Sequence, residues 1–119
     1  MTHADVIWII ALTLLIETVT CVLRFGVGWQ STRDTAWMGR YTLGIRIHHA
    51  YLGVVVILLC TWLVEQGGVR SWALAVGVAL ILSDLIHHFV VLWIFQGDPQ
   101  FDLTYPRPDP SPVTADTAD

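Results

Sequence analysis

The sequence predicts an all-α integral membrane protein with three transmembrane helices. Hydrophobic residues make up 55% of the 119-residue chain and charged residues only 13%, whereas about a quarter of an ordinary globular protein is charged. Three apolar runs cover residues 6–25, 47–64 and 72–95. Each is close to the roughly 20 residues that a helix needs to cross a bilayer. A soluble chain this short has no core large enough for three such helices.

The first apolar run predicts a transmembrane helix over about residues 6–25, not a cleaved signal peptide. A signal peptide has a positive start and a small-residue cleavage site. The residues before this run contain no Lys or Arg, and the run itself contains Glu17 and ends at Arg24 without an A-x-A pattern. We therefore expect this helix to be retained.

The second and third runs predict helices over about residues 47–65 and 71–96. The short turn between them contains Gly67 and Gly68, which favour a tight connection, so we expect an antiparallel hairpin. Gly53 and Gly77 are expected to be positions of close helix packing.

The composition of the chain changes after Gln96, where prolines and acidic residues replace the apolar pattern. Alternating prolines prevent a helix, so we expect this segment to be extended and largely disordered. The predicted organisation is a transmembrane domain over residues 1–105 and a disordered tail over 106–119.

The arginines predict the orientation. Four of the six basic residues lie in or beside the first connection, namely Arg24, Arg33, Arg40 and Arg46. Positive residues accumulate on the cytoplasmic side of a membrane protein. We therefore expect the N-terminus outside and the tail inside, in a bacterial or archaeal plasma membrane.

Six ionisable residues lie within the apolar runs or at their edges: Glu17, His48, His49, Asp84, His87 and His88. An ionisable side chain at the centre of a bilayer is unfavourable by about 2.5–3.5 kcal/mol on insertion scales, and such residues usually mark functional sites. At 1.5 Å per residue, the antiparallel topology places all six within roughly 3–16 Å of the cytoplasmic ends of their helices. One shared polar site is the simplest explanation.

The residue types of this site predict a metal centre. Asp84 precedes His87 and His88 by three and four residues, so a helix presents all three on one face. The carboxylate-x-x-His spacing occurs in di-iron and di-manganese sites of helical bundles. Imidazoles with one or two carboxylates suit Fe or Zn, and also Mn or Cu. Cys21 and Cys60 are at different depths and are expected to be small buried residues without a bond between them.

The stretch D-L-I-H-H, residues 84–88, resembles the H-x-x-H-H box of integral-membrane di-iron hydroxylases and desaturases, with Asp in the first place. The resemblance covers five residues. It implies iron and an oxidoreductase or hydroxylase activity. A lipid substrate suits a site a few ångströms below the headgroups, because its acyl chain can enter sideways from the membrane.

Four alternatives remain open from the sequence. A haem could be held between His48 or His49 and His87 or His88, or the ionisable residues could form a proton or ion pathway. The protein could also be a non-enzymatic subunit of a membrane complex, or the polar residues could only hydrogen-bond across the helices. Because three helices enclose a site poorly, we expect a homo-oligomer or a membrane-complex partner as well as the lipid bilayer. No nucleic-acid partner is expected.

Overall fold

The computed structural model describes residues 2–65 and 67–105, without the side chains of Ser31 and Thr32. The described chain is helical, and its only β-type pairing is an isolated bridge between Ile45 and Thr104. Five α-helical segments follow one another: α1 His3–Cys21, α2 Ser31–Asp34, α3 His49–Leu63, α4 Gly68–Ile86 and α5 Trp93–Gln96.

Two of these helices are extended by π turns, in which each N–H bonds to the carbonyl five residues earlier. The π turn Val22–Gly26 continues α1, and the π turn His87–Leu92 joins α4 to α5. The resulting continuous helices have 24 and 29 residues and are long and apolar enough to cross a membrane. The third helix, α3, has only 15 residues, or about 22 Å.

The prediction of three main helices is confirmed, but their boundaries differ from the expected ones. The first helix begins at His3 because Thr2 and Asp5 form a reciprocal capping box. The second begins two residues later than expected because His48 is extended, with φ −93° and ψ 149°. Arg46, two residues earlier, pairs with the C-terminal segment instead, and its backbone N–H donates to Leu103 O at 2.9 Å.

The long helix α4 is the centre of the bundle. It packs against α1 on one side and α3 on the other. Within the described residues, the backbones of α1 and α3 are not in contact with each other. A Cβ added to Gly53 of α3 would lie 2.5 Å from Gly77 O of α4. The absence of side chains at both glycines therefore allows the hairpin helices to touch, as the sequence predicts.

The distribution of side chains is the reverse of that in a soluble protein. The largest fully buried side chains among the described residues are Asp84 and Ser83. Leucines, isoleucines and valines instead point outward along all three helices, as at Leu14, Leu58 and Val90. Polar groups thus make up a large part of the interior, together with small residues such as Ala75 and Ala79, and an apolar surface surrounds them.

The segment after Gln96 is not disordered as far as the structure describes it, which corrects the expectation for residues 97–105. Gly97 ends the helix in the left-handed conformation, with φ 70°. Residues 98–105, here called the C-terminal strap, then fold back across the ends of α3 and α4. Tyr105 N–H donates to Gly44 O at 2.8 Å, which ties the strap to the connection before α3. The tail over 106–119 lies outside the described residues.

Candidate metal centre

The six ionisable residues predicted from the sequence come together at one end of the bundle, where they form two adjacent groups instead of one. His48, Asp84 and His88 form what we call the central group, and Glu17 and His87 join Cys21 in the lateral group. Within each group, one ligand atom from every residue lies within 4.8 Å of the others. The sixth predicted residue, His49, borders the central group.

The central group is withdrawn from the surface. His48 is 4% exposed, Asp84 1% and His88 7%. Asp84 contributes its carboxylate from α4, and its Oδ1 accepts the backbone N–H of His49 at 3.1 Å. Its other oxygen, Oδ2, is buried without a hydrogen bond among the described residues, since His48 Nδ1 at 3.6 Å lies just beyond hydrogen-bond distance. A buried carboxylate oxygen without a donor is uncommon in proteins and calls for an explanation.

The C-terminal strap orients both imidazoles of the central group. His48 Nε2–H donates to Asp102 O at 3.1 Å, and His88 Nδ1–H donates to Pro99 O at 2.7 Å. Because a carbonyl oxygen can only accept, the nitrogen that faces it carries the proton. In the neutral rings this leaves lone pairs on Nδ1 of His48 and Nε2 of His88. Phe101 of the strap packs against both rings, with centroids 4.6 and 5.2 Å away.

The free nitrogen of His48 faces the unsatisfied oxygen of Asp84. Nδ1 and Oδ2 are 3.6 Å apart. Two electron-rich atoms at this separation repel each other unless a cation lies between them, either an added proton or a metal ion. Ligands about 2.1 Å from a tetrahedral ion are themselves about 3.4 Å apart, so the spacing of these two atoms is close to that of two ligands of one ion.

His49 has a different position from His48. Its Nδ1 lies 3.4 Å from Asp84 Oδ1, and about half of its side chain is exposed. The oxygen that it approaches is already occupied by the His49 backbone N–H. Of the two neighbouring histidines, His48 is therefore the better ligand and His49 a neighbour of the carboxylate.

The lateral group is held together by hydrogen bonds. His87 Nδ1–H donates to Glu17 Oε1 at 3.0 Å, and Cys21 Sγ donates to the same oxygen at 3.2 Å. Ser83 Oγ donates to Glu17 Oε2 at 3.3 Å. Both oxygens of this carboxylate have donors, in contrast to Asp84, and the group joins α1 to α4.

The π turns lie at the site. His87 and His88 begin the second π turn, and the first starts directly after Cys21. π turns inside α-helices occur often at functional sites, because the wider turn changes the direction of the side chains that follow. The sequence predicts the histidines on a helix but contains no signal for these turns.

A cavity of about 310 Å³ opens beside the two groups. Its polar wall includes Asp84 and all four paired histidines, and two arginines, Arg24 and Arg46, also line it. Its apolar wall comes from α3, the two π turns and the first connection. The volume is near the lower end of the range for small-molecule sites.

Three residues that hydrogen-bond to the two groups or belong to them were not predicted from the sequence as parts of the site. Cys21 was expected to be only a small buried residue, yet it hydrogen-bonds Glu17. The strap carbonyls of Pro99 and Asp102 could not be anticipated, because backbone acceptors have no sequence signature. The helical phase of Cys21, which shares a face with Glu17, is the one signal that could have identified it.

The chain matches no family model, no curated protein and no solved structure. The arrangement of the side chains is therefore the basis for a function. It consists of one buried and one partly buried group of metal-ligand type, one carboxylate oxygen without a donor, and a cavity that reaches both groups.

Proposed function

We propose that the protein is a small integral membrane protein whose three main helices all lie in the bilayer, with the N-terminus outside and the tail in the cytoplasm. The outward-facing leucines, isoleucines and valines around a polar interior support this location, since hydrocarbon is the solvent that tolerates such a surface. Two helices long enough to span and the arginines of the first connection support the arrangement.

We propose further that the central group binds one divalent transition-metal ion, Fe or Zn, through His48, Asp84 and His88. The observation that carries this proposal is Asp84 Oδ2, which is buried without a hydrogen-bond donor and faces the free nitrogen of His48 at 3.6 Å. The strap carbonyls provide the second support. Metal-binding histidines usually donate their other ring N–H to a carbonyl or carboxylate, which fixes the tautomer.

Two imidazoles and one carboxylate leave coordination positions open. That ligand set is typical of non-haem Fe(II) oxygenases and also of catalytic zinc sites. We propose an oxidoreductase or hydroxylase that acts on a lipid, because the cavity beside the group has an apolar wall. A hydroxylase consumes O₂, two protons and two electrons from a separate donor, converts one C–H bond to C–OH and releases the second oxygen atom as water.

The haem alternative is less well supported by the geometry. Two axial histidines lie on opposite faces of the macrocycle, whereas the rings of His48 and His88 are in edge-to-face contact, with centroids 4.9 Å apart. A proton pathway would use the same residues without metal. It predicts a second proton on His48 in place of the ion.

Metal analysis distinguishes these functions. Full-length protein purified in mild detergent, after exposure to Fe(II) or Zn(II) and removal of free ion, should retain about one ion per chain. Asp84→Asn, His48→Ala and His88→Ala should each lose it, because each removes one of three ligands. His3→Ala is the matched control, since this histidine is exposed at the start of α1, and it should bind as the unaltered chain does.

Two results would contradict the metal proposal. One is equal retention in Asp84→Asn and His3→Ala; the other is a Soret band in the purified protein, which selects haem. A pH-dependent proton flux through vesicles containing metal-free protein would favour the pathway instead.

A further inference from the structure

Two positive side chains line the cavity beside the central group. Arg46 is 4% exposed, and its Nη1–H groups donate to Gln100 O and to Asp102 Oδ2, each at 3.3 Å. Arg24 approaches from the π turn after α1. Arg46 is paired with the Asp102 carboxylate. Arg24 is therefore the positive group at this end of the cavity whose charge is not offset by a carboxylate among its described hydrogen-bond partners.

The hydrogen bonds of Arg24 are made to neutral groups. Its Nη2–H groups donate to Gln96 Oε1 at 3.0 Å and to Gln100 Oε1 at 2.8 Å. Amide oxygens are weaker partners for a guanidinium than carboxylate or phosphate oxygens, which bind it through charge-assisted and often bidentate hydrogen bonds. Gln100 accepts from both arginines, through its side chain and its backbone carbonyl. Its side chain therefore occupies the place that an oxyanion would prefer.

The rest of the cavity suits a hydrocarbon chain. Leu23, Ile47, Leu52 and Leu92 are among its lining residues. Since α1 and α3 both pack on α4 but do not approach each other within the described residues, an open cleft lies between them. A hydrocarbon chain can extend along this cleft while the polar head of the same molecule remains beside the arginines.

We propose that this cavity binds one anionic amphiphile, with a carboxylate or phosphate head on Arg24 and Arg46 and its hydrocarbon chain in the cleft between α1 and α3. This rests on the proposed function and names the substrate class for it. The central group lies on the same cavity, so the chain of the bound molecule passes the place where the metal would act. The head replaces the Gln100 amide as the partner of Arg24.

Binding of radiolabelled palmitate to full-length, metal-free protein in detergent tests this proposal. Arg24→Gln and Arg46→Gln should each weaken binding about ten- to hundredfold, the factor expected for the loss of a charge-assisted hydrogen bond. Arg70→Gln is the matched control, because Arg70 lies in the first turn of α4, at the other end of the bundle, and should leave the affinity unchanged. Arg24→Lys retains the charge and should recover part of the affinity, which an unfolded variant could not.

Competing ligands distinguish the sources of the anion. Unlabelled palmitate and a phosphatidate should displace the label, and the stronger of the two identifies the preferred head. Methyl palmitate, which has the hydrocarbon chain but no charge, should not displace the label. Displacement by inorganic phosphate as effective as that by palmitate would overturn the proposal, and so would equal binding by Arg24→Gln and Arg70→Gln.

Failure of this proposal can be separated from failure of the proposed function. The binding assay uses metal-free protein, so a chain that binds palmitate but retains no ion contradicts the metal site alone. If the protein retains its ion, but the Arg24→Gln and Arg46→Gln variants bind palmitate as well as the unaltered protein does, only the amphiphile site is contradicted.

Discussion

At the scale of single residues, the two carboxylates of the interior differ in the way they are satisfied. Glu17 accepts hydrogen bonds on both oxygens, from His87, Cys21 and Ser83. Asp84 has one oxygen without a donor. A carboxylate with all its donors stabilises helix packing, whereas a buried one that lacks a donor favours a bound cation. The adjacent histidines His87 and His88 therefore have different roles, one for each carboxylate.

Replacement of these two histidines should give opposite results. His88→Ala should lose metal, because it removes a ligand. His87→Ala should keep metal but be less stable by about 1–3 kcal/mol, since the Glu17 carboxylate loses a donor. Metal content and thermal unfolding in detergent measure both effects. The double variant Glu17→Leu/His87→Leu removes both partners and should recover stability; if it does not, the hydrogen bond is not the cause.

The sequence predicted which ionisable residues come together better than how they are arranged. Antiparallel helices and counted depths bring six ionisable residues to one end without any knowledge of contacts. The choice between His48 and His49 could not be predicted, because His48 lies before the helix in extended backbone. Its position depends on pairing between the strap and residues 44–46, a long-range interaction that local periodicity does not contain.

At the scale of elements, the contact between α3 and α4 depends on glycine. A Cβ at Gly77 would lie 2.6 Å from Ile57 Cγ1 and 2.9 Å from Gly53 O. Backbones in such close contact gain van der Waals energy and stabilise the hairpin without large side chains. The hairpin in turn places the beginning of α3, with His48, next to Asp84 of α4.

Gly77→Ala should separate these two helices. We expect a loss of about 1–3 kcal/mol, as for other overpacked interiors, and a lower metal affinity because His48 moves away from Asp84. Gly68→Ala is the control, because a Cβ there meets nothing within 4 Å. Thermal unfolding and metal titration of the two variants should differ clearly; matching results would show that the glycine contact is unimportant.

The C-terminal strap makes a separate prediction. A chain that ends at Gln96 lacks the carbonyls of Pro99 and Asp102, which hold both imidazoles of the central group. Loss of such hydrogen-bond partners typically lowers metal affinity by about 10–100-fold. The proper reference is a chain that ends at Tyr105, which keeps the strap. Equal affinities in a competition titration would show that the strap does not orient the ligands.

At the scale of the whole molecule, the proposed orientation places the two connections on opposite sides of the membrane. Leu43, in the first connection, is 93% exposed, and Glu65, after α3, is exposed as well. In intact cells a membrane-impermeant maleimide should label Glu65→Cys, and should label Leu43→Cys only after permeabilisation. The reverse pattern would invert the topology.

If the helices lie in the bilayer as proposed, their unequal lengths have a consequence for the surrounding lipid. The hydrocarbon core of a bilayer is about 30 Å thick, but the 15 residues of α3 extend only about 22 Å, whereas the 29-residue helix beside it is longer than the core. Such hydrophobic mismatch is relieved by tilt of the long helix and by local thinning of the bilayer around the short one. The headgroups then descend toward the end of α3 that carries the cavity. Vesicles of shorter-chain lipids should therefore stabilise the protein more than vesicles of longer-chain lipids.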